Sequence, residues 1–264
     1  MLNKNVGNVD LPMIGLGTCD LDERVMEIVI ETCVSRGVTF IDSANRYGNE
    51  ETIGGAIRKI GLSRHAILIG TKMSYKQQVS QTVRESVEES LNKLKTDYID
   101  LYMIHSPKSE TYCDDWIALL EEKRKGKIRE IAVSNFTERQ LQDLYNVSGI
   151  YPALNQIEVN LVHIPWNLIS FCRSKGIVIQ ASCPLYRMGF EAENSDAVKS
   201  LVDKYHKSYS QIALRWLFQK EILAIPKMSS VKHIEENVNI FDFNLSEEDV
   251  YQLEKRGRDL IKNE

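Results

Sequence analysis

Short runs of β-branched and apolar residues alternate along the whole chain with stretches whose apolar residues recur at helical spacing. That alternation constrains the fold more than any other feature. Residues 13–17, 39–42, 66–72, 98–105, 128–134, 153–159, 177–182 and 223–227 read as eight strands, each followed by a helical pattern. In one helix Val25, Ile28, Val29, Thr32 and Cys33 fall at i, i+3, i+4, i+7 and i+8; in a second, Val79, Val83, Val87, Leu91 and Leu94 form the stripe. Charged residues occupy the opposite faces. Gly37, Gly61 and Gly176 follow helical stretches, where a left-handed closing residue is easiest for glycine.

A strand that returns through a helix must pair parallel with its predecessor, so the pattern predicts an α/β protein with a parallel sheet. Eight such units in 264 residues fit a closed (β/α)8 TIM barrel as a single domain. A short N-terminal segment precedes the first strand, and an extra helix at 250–261 follows the last unit. The run Gly15-Leu16-Gly17-Thr18 invites comparison with a dinucleotide-binding glycine loop, with Asp42 as the ribose acid. Asp20 occupies the third glycine position, however, and the repeat runs past the six strands of a doubly wound sheet.

With 43% hydrophobic and 27% charged residues the chain can bury a sizeable core. A formal charge of −4 with no basic stripe points away from nucleic acid and from anionic membrane surfaces, and toward small-molecule partners. No apolar run reaches the roughly 18 residues of a membrane span, and the polar start lacks a signal-peptide core. Cys19, Cys33, Cys113, Cys172 and Cys183 are odd in number and form no C-x-x-C pair, which argues against a disulfide framework and against a zinc site. We therefore expect a cytoplasmic protein without a bound metal.

In a (β/α)8 barrel, chemistry collects where the strands end and the βα loops converge. Asp42 ends the second predicted strand, with Tyr47 in the loop that follows; Lys72 ends the third and His105 the fourth. Ser134 and Asn135 close the fifth, Gln156 lies within the sixth, and Lys227 closes the eighth. Taken singly, each has a plainer use: a helix cap for Asp42, a rim residue for Tyr47, a solvated charge for Lys72, a core histidine for His105. Their shared placement at one mouth is what those uses fail to explain.

A phenol with an ordinary pKa of about 10 keeps its proton at neutral pH. A neighbouring ammonium such as Lys72 would lower that value and make Tyr47 a better donor to a carbonyl oxygen gaining negative charge. An ionised Asp42 would keep Lys72 charged, and His105 could hydrogen-bond the same oxygen. The carbonyl carbon then needs a partner, and a nicotinamide hydride would serve, held in line at about 3–3.5 Å. A Schiff-base lyase acting through Lys72 is a weaker alternative.

The segments FIDSANRYGNEETIGGAI, ILIGTK, DYIDLYMIHSP, IREIAVSNF, LNQIEVN and IPKMSSVKHIEENVNIFDF, in this order and spacing, resemble the aldo-keto reductases over nearly the whole chain. The resemblance implies that Asp42, Tyr47, Lys72 and His105 form a catalytic tetrad with Tyr47 as general acid. It implies that Ser134, Asn135 and Gln156 hold the nicotinamide carboxamide. Lys227 would meet the 2′-phosphate of NADPH, Glu236 and Asn237 would approach the adenine, and Ser229 and Ser230 would offer donors at a helix start. The family also contains channel-associated members, so a redox-sensing subunit that binds nicotinamide with little turnover is the alternative.

Several positions depart from the family pattern. Ser182 replaces the tyrosine that stacks on the nicotinamide, His233 an arginine that grips the 2′-phosphate, and Met228 a serine. NADPH is the expected cofactor, with NADH or dual use open. Cys19, Ser74 and Ser106 stand at substrate positions that are often aromatic, which implies a wider, more polar pocket for a polar or bulky carbonyl compound. The family's longer C-terminal tail is expected to be missing, leaving Tyr75, Tyr186, Arg187 and Met188 to line the opening. Resemblance also implies a monomer.

Overall fold

The strand Ile99–Ile104 is buried at every position, as a strand must be when helices cover one face and a barrel interior the other. It is one of ten strands in the computed structural model, which describes residues 2–108, 110–185 and 196–261. A hairpin, β1 (Asn3–Val6) and β2 (Val9–Pro12), pairs antiparallel at the start of the chain. Next come β3 (Leu16–Gly17), β4 (Phe40–Asp42), β5 (Leu68–Met73), β6 (Ile99–Ile104), β7 (Ile128–Ser134), β8 (Leu154–Glu158), β9 (Val178–Ser182) and β10 (Leu223–Ala224). These eight lie side by side in chain order, and every pairing is parallel.

Parallel bridges between Ile14 and Ala224 and between Gly17 and Lys227 join the first of them to the last. Across that seam Gly15 donates its N–H to the Ala224 carbonyl at 2.8 Å, and Ala224 donates to the Met13 carbonyl at 3.0 Å. The sheet is thus a closed (β/α)8 barrel, as the strand–helix alternation predicts. Gly17 is required at this seam: a Cβ there would stand 2.5 Å from the Ile225 carbonyl oxygen.

Two apolar layers hold the barrel. Inside it, Phe40, Leu101, Met103, Ala132, Leu154 and Leu223 pack with Val6, Val9, Leu11 and Met13, so the hairpin plugs the end where the strands begin. Phe40 fills space left by two glycines: a Cβ on Gly70 would come within 2.6 Å of its ring, and one on Gly15 within 2.7 Å. Truncating so large a buried ring costs about 3–5 kcal/mol. The second layer lies between sheet and helices and includes Val29, Ile41, Ile69, Tyr102, Val133 and Ile179. With the starting end plugged, the open end is the one at which the strands finish.

Helices follow the strands: α1 (Met26–Ser35), α2 (Glu50–Lys59), α3 (Tyr75–Ser80), α4 (Val83–Leu94), α5 (Tyr112–Arg124), α6 (Glu138–Ser148) and α7 (Trp166–Ser174). Past β9 come α8 (Asp196–Tyr205) and α9 (Tyr209–Gln219), and past β10 come α10 (Val231–Val238) and α11 (Glu247–Ile261). Gly37, Gly61 and Gly176 all have positive φ just after α1, α2 and α7, as expected.

Both helical stripes read from the sequence need correcting. On α1 the buried face is Met26, Val29, Ile30 and Cys33, while Ile28 points outward at 54% exposure. Val79 belongs to α3 and is 61% exposed, because the chain breaks before Thr82, whose capping box with Glu85 starts α4 afresh. The predicted strand at 66–72 begins later, at Leu68, since Arg64–Ala66 forms a 3-10 turn. None of the described helices is long and apolar enough to cross a membrane.

Candidate active site

Asp42 is the last residue of β4, 1% exposed, and Lys72 reaches it from the adjacent β5. Lys72 Nζ donates to Asp42 Oδ2 at 2.6 Å and to the Ser43 carbonyl at 2.7 Å. Gln156 Nε2, from β8 across the barrel, donates to Asp42 Oδ1 at 2.9 Å and to Gln180 Oε1 at 2.7 Å. A buried charge pair is tolerated when its remaining hydrogen-bonding capacity is met in this way.

The loop beyond Asp42 is fixed by polar contacts that strand-end reasoning did not single out. Ser43 Oγ donates to Asn49 Oδ1 at 2.7 Å, and Asn49 Nδ2 to the Thr18 carbonyl at 2.8 Å. Thr18, Ser43, Asn49 and Gln180 are all nearly inaccessible to solvent, and a polar residue inside a predicted strand, such as Gln180, is the signal that could have found one of them. Between these ties, Asn45–Tyr47 makes a 3-10 turn closed by Gly48 at φ 72°. Tyr47 is thereby carried back over the barrel mouth.

Its ring meets that of His105, which follows β6, edge to face at 5.8 Å between centroids. Lys72 Nζ lies 5.3 Å from the Tyr47 centroid. All four groups expected to act together therefore share one site. Burial raises the Tyr47 pKa well above the usual phenol value, and the Asp42 charge adds to the effect. Against the sequence-based expectation of a lowered value, the net shift is upward, because burial of the phenol and the nearby Asp42 charge dominate. Burial lowers the Lys72 pKa while the hydrogen-bonded Asp42 opposes that shift. Burial, with the positive charges of Lys72, Arg46 and Lys108, lowers His105 to about 3, so its imidazole is neutral at physiological pH.

Two cavities meet at the Tyr47–His105 contact. One, of about 490 Å³, runs from Asp42, Tyr47 and Gln156 past Cys19, Ser182 and Cys183 to Ile225, Pro226 and Lys227. Above it Ser134 and Gln156 are register partners on β7 and β8, and Asn135, at φ 63°, donates Nδ2 to Ser134 Oγ at 3.0 Å and to the His105 carbonyl at 3.1 Å. Gln156 Oε1 accepts no hydrogen bond among the described residues. A cleft that presents both a free amide acceptor, Gln156 Oε1, and a cation, Lys227, fits a nicotinamide dinucleotide. Ser182 brings no ring to that cleft; Pro184, Leu185, Ile225 and Pro226 are its apolar lining.

Near the Lys227 end, Ser230 caps α10 by accepting the His233 N–H at 3.2 Å, and Ser229 Oγ lies 3.2 Å from His233 Nδ1. His233 is exposed and Glu236 half-buried. Met228 is wholly buried in the layer between sheet and helices, and Asn237 is 3% exposed. Only the Met228 backbone is therefore open to a ligand.

The second cavity, of about 730 Å³, is lined by His105, Ser74, Ser106 and Tyr75, with Asn45, Arg46, Lys76 and Lys108. The three substrate positions named from sequence thus separate, Cys19 into the first cavity and Ser74 and Ser106 into the second. Ser74 also caps α3 in a reciprocal bond with Gln77. Tyr186, Arg187 and Met188 lie outside the described residues.

The aldo/keto reductase family model matches residues 13–257. The chain belongs to this family. It is an NAD(P)H-dependent oxidoreductase of carbonyl compounds. It is 34% identical over 252 residues to glyoxal reductase of Bacillus subtilis (strain 168), covering 95% of this chain and 91% of that one. An aldo/keto reductase structure from Brucella melitensis superposes with a TM-score of 0.87 at 31% identity, covering 96% of this chain and 98% of that one. A Bombyx mori aldo-keto reductase in complex with NADP superposes at 0.86 and 29% identity, covering 96% and 92%. The family supports turnover of small carbonyl compounds and gives no support to the redox-sensing alternative. Among the described residues no group of three or more potential metal ligands occurs.

Proposed function

We propose that Tyr47 is the general acid of an NADPH-dependent reductase of small polar aldehydes and ketones, acting with Asp42, Lys72 and His105. The observation that carries this is the edge-to-face contact of Tyr47 and His105 directly over the buried Lys72–Asp42 pair. Between the two rings a carbonyl oxygen meets two neutral donors, the phenol O–H and an imidazole N–H. Burial keeps the phenol protonated until negative charge develops on that oxygen; Lys72, already charged, then favours the phenolate that remains. Bound NADPH supplies the hydride to the carbonyl carbon. Asp42 holds Lys72 in place, and a Schiff-base role for Lys72 is disfavoured because two acceptors fix its ammonium.

We further propose that Ser134, Asn135 and Gln156 hold the nicotinamide carboxamide, with Ser182 beside the ring. Lys227 and the start of α10, with Ser229, Ser230, the Met228 backbone and His233, take the 2′-phosphate, while Glu236 and Asn237 face the adenine. A lysine beside a helix N-terminus is a physically sound phosphate site and supports NADPH over NADH. Cys19, Ser74 and Ser106 border the substrate. We propose a monomer in the cytoplasm, a reducing compartment with which five free thiols accord.

The test follows cofactor absorbance at 340 nm with NADPH or NADH and a panel headed by glyoxal, the compound named in the Bacillus relative. The expected result is oxidation of NADPH, faster at low cofactor concentration than that of NADH. No oxidation with any aldehyde or ketone would overturn the proposal.

A further inference from the structure

The cavity beside His105 has a charge character that the proposed chemistry does not use. Arg46 follows β4, Lys76 lies on α3 and Lys108 follows β6, so three separate βα loops deliver a cation to the same basin. No aspartate or glutamate lines it. None of the three cations forms an ion pair among the described residues. The carboxylate in contact with the lining, Glu89, accepts from Asn45 but is itself neutralised by Lys93. Polar neutral groups complete the wall, Ser74, Ser106 and Asn45 among them, and Tyr75 and His105 are the aromatic side chains there.

Like charges gathered without counterions raise one another's electrostatic energy, and an anion relieves it. The basin opens on the His105 side of the Tyr47–His105 contact, away from the cleft that ends at Lys227. A substituent carried there belongs to the substrate. We infer that the preferred substrate is an aldehyde or ketone carrying a carboxylate or phosphate, which docks among Arg46, Lys76 and Lys108 while the carbonyl oxygen sits between Tyr47 and His105. This deepens the reductase reading and rests on it.

The cations are solvent-exposed, so each contributes modestly and all are screened by salt. Acting together on one anion they should favour it roughly tenfold at low ionic strength. The charge also steers encounter, so the effect should appear in kcat/KM, chiefly through KM.

The experiment compares substrates that differ in charge but little in carbonyl reactivity: 4-formylbenzoate against its methyl ester, and glyceraldehyde 3-phosphate against glyceraldehyde. The first pair reports on carboxylate, the second on phosphate. The expected result is a kcat/KM ratio of about ten or more favouring the anion in at least one pair, falling to near one in 0.5 M KCl and in the Lys76→Met/Lys108→Met variant. A ratio near one in both pairs at low salt, or a ratio that the double variant leaves intact, overturns the inference while the reductase reading stands. If no aldehyde is reduced, the reductase reading fails separately, and calorimetric titration with 4-(hydroxymethyl)benzoate and its methyl ester still decides. Acid bound more tightly than ester, with the difference lost in the double variant, supports charge recognition; equal binding overturns it.

Discussion

Lys72 Nζ stands 2.6 Å from Asp42 Oδ2, with the two side chains 0% and 2% exposed. Removing one partner of such a pair strands the other charge in a low-dielectric interior, at a cost of about 3–5 kcal/mol. Lys72→Met should therefore lower the melting temperature by roughly 6–20 °C. The double variant Lys72→Met/Asp42→Asn should recover part of that loss, because no net charge stays buried. Calorimetric melting of the three proteins checks this; a Lys72→Met protein within 2 °C of the parent would contradict it.

Neutral His105 gives a pH signature. Its folded-state pKa of about 3 lies below the ordinary value near 6.5, so the unfolded chain takes up the proton first as pH falls. The stability that depends on neutral His105 is complete above about pH 6.5 and is lost progressively as pH falls toward 3. In the folded protein the ring should not titrate between pH 5 and 8. NMR of the His105 ring proton should give a flat shift over that interval, and an inflection near 6.5 would show that the imidazole is not shielded.

Gly17 tests the seam of the barrel. A methyl group there would face the Ile225 carbonyl oxygen at 2.5 Å, so Gly17→Ala must push β3 from β10. Overpacking of this kind costs about 1–3 kcal/mol. Because Gly17 and Ile225 also line the cleft that ends at Lys227, cofactor affinity should fall together with the melting temperature. Loss of neither would show that the seam is looser than the structure has it.

Lys227 separates the two cofactors. Lys227→Met should raise KM for NADPH roughly tenfold, the scale of one charge-assisted hydrogen bond, and leave KM for NADH little changed. Equal effects on both would place Lys227 away from the 2′-phosphate.

The barrel is legible in the sequence because its strands carry continuous apolar runs, such as residues 99–104, that end in polar residues at the mouth. Asp42, Lys72 and His105 are found by that rule alone, and Tyr47 by its distance from a strand end. Ile28 and Val79 mislead for a physical reason: spacing reports that a residue could share a buried face, but the phase of the helix and the Thr82 cap decide whether it does. Met228 misleads similarly, since its neighbour Lys227 faces the cleft and alternation then sends Met228 into the core. Arg46, Lys76 and Lys108 carry no local signal at all. Each reads as an ordinary surface charge until three loops are brought together.

Single-turnover reduction by the Tyr47→Phe protein loaded with NADPH measures directly whether Tyr47 is the proton donor. Phenylalanine keeps the ring that packs on His105 and deletes only the hydroxyl. The rate should drop by roughly 10²–10⁴ while the dissociation constant for NADPH stays within about twofold of the parent. A Tyr47→Phe protein that reduces its substrate within tenfold of the parent rate would contradict the assignment of Tyr47 and the tetrad built around it.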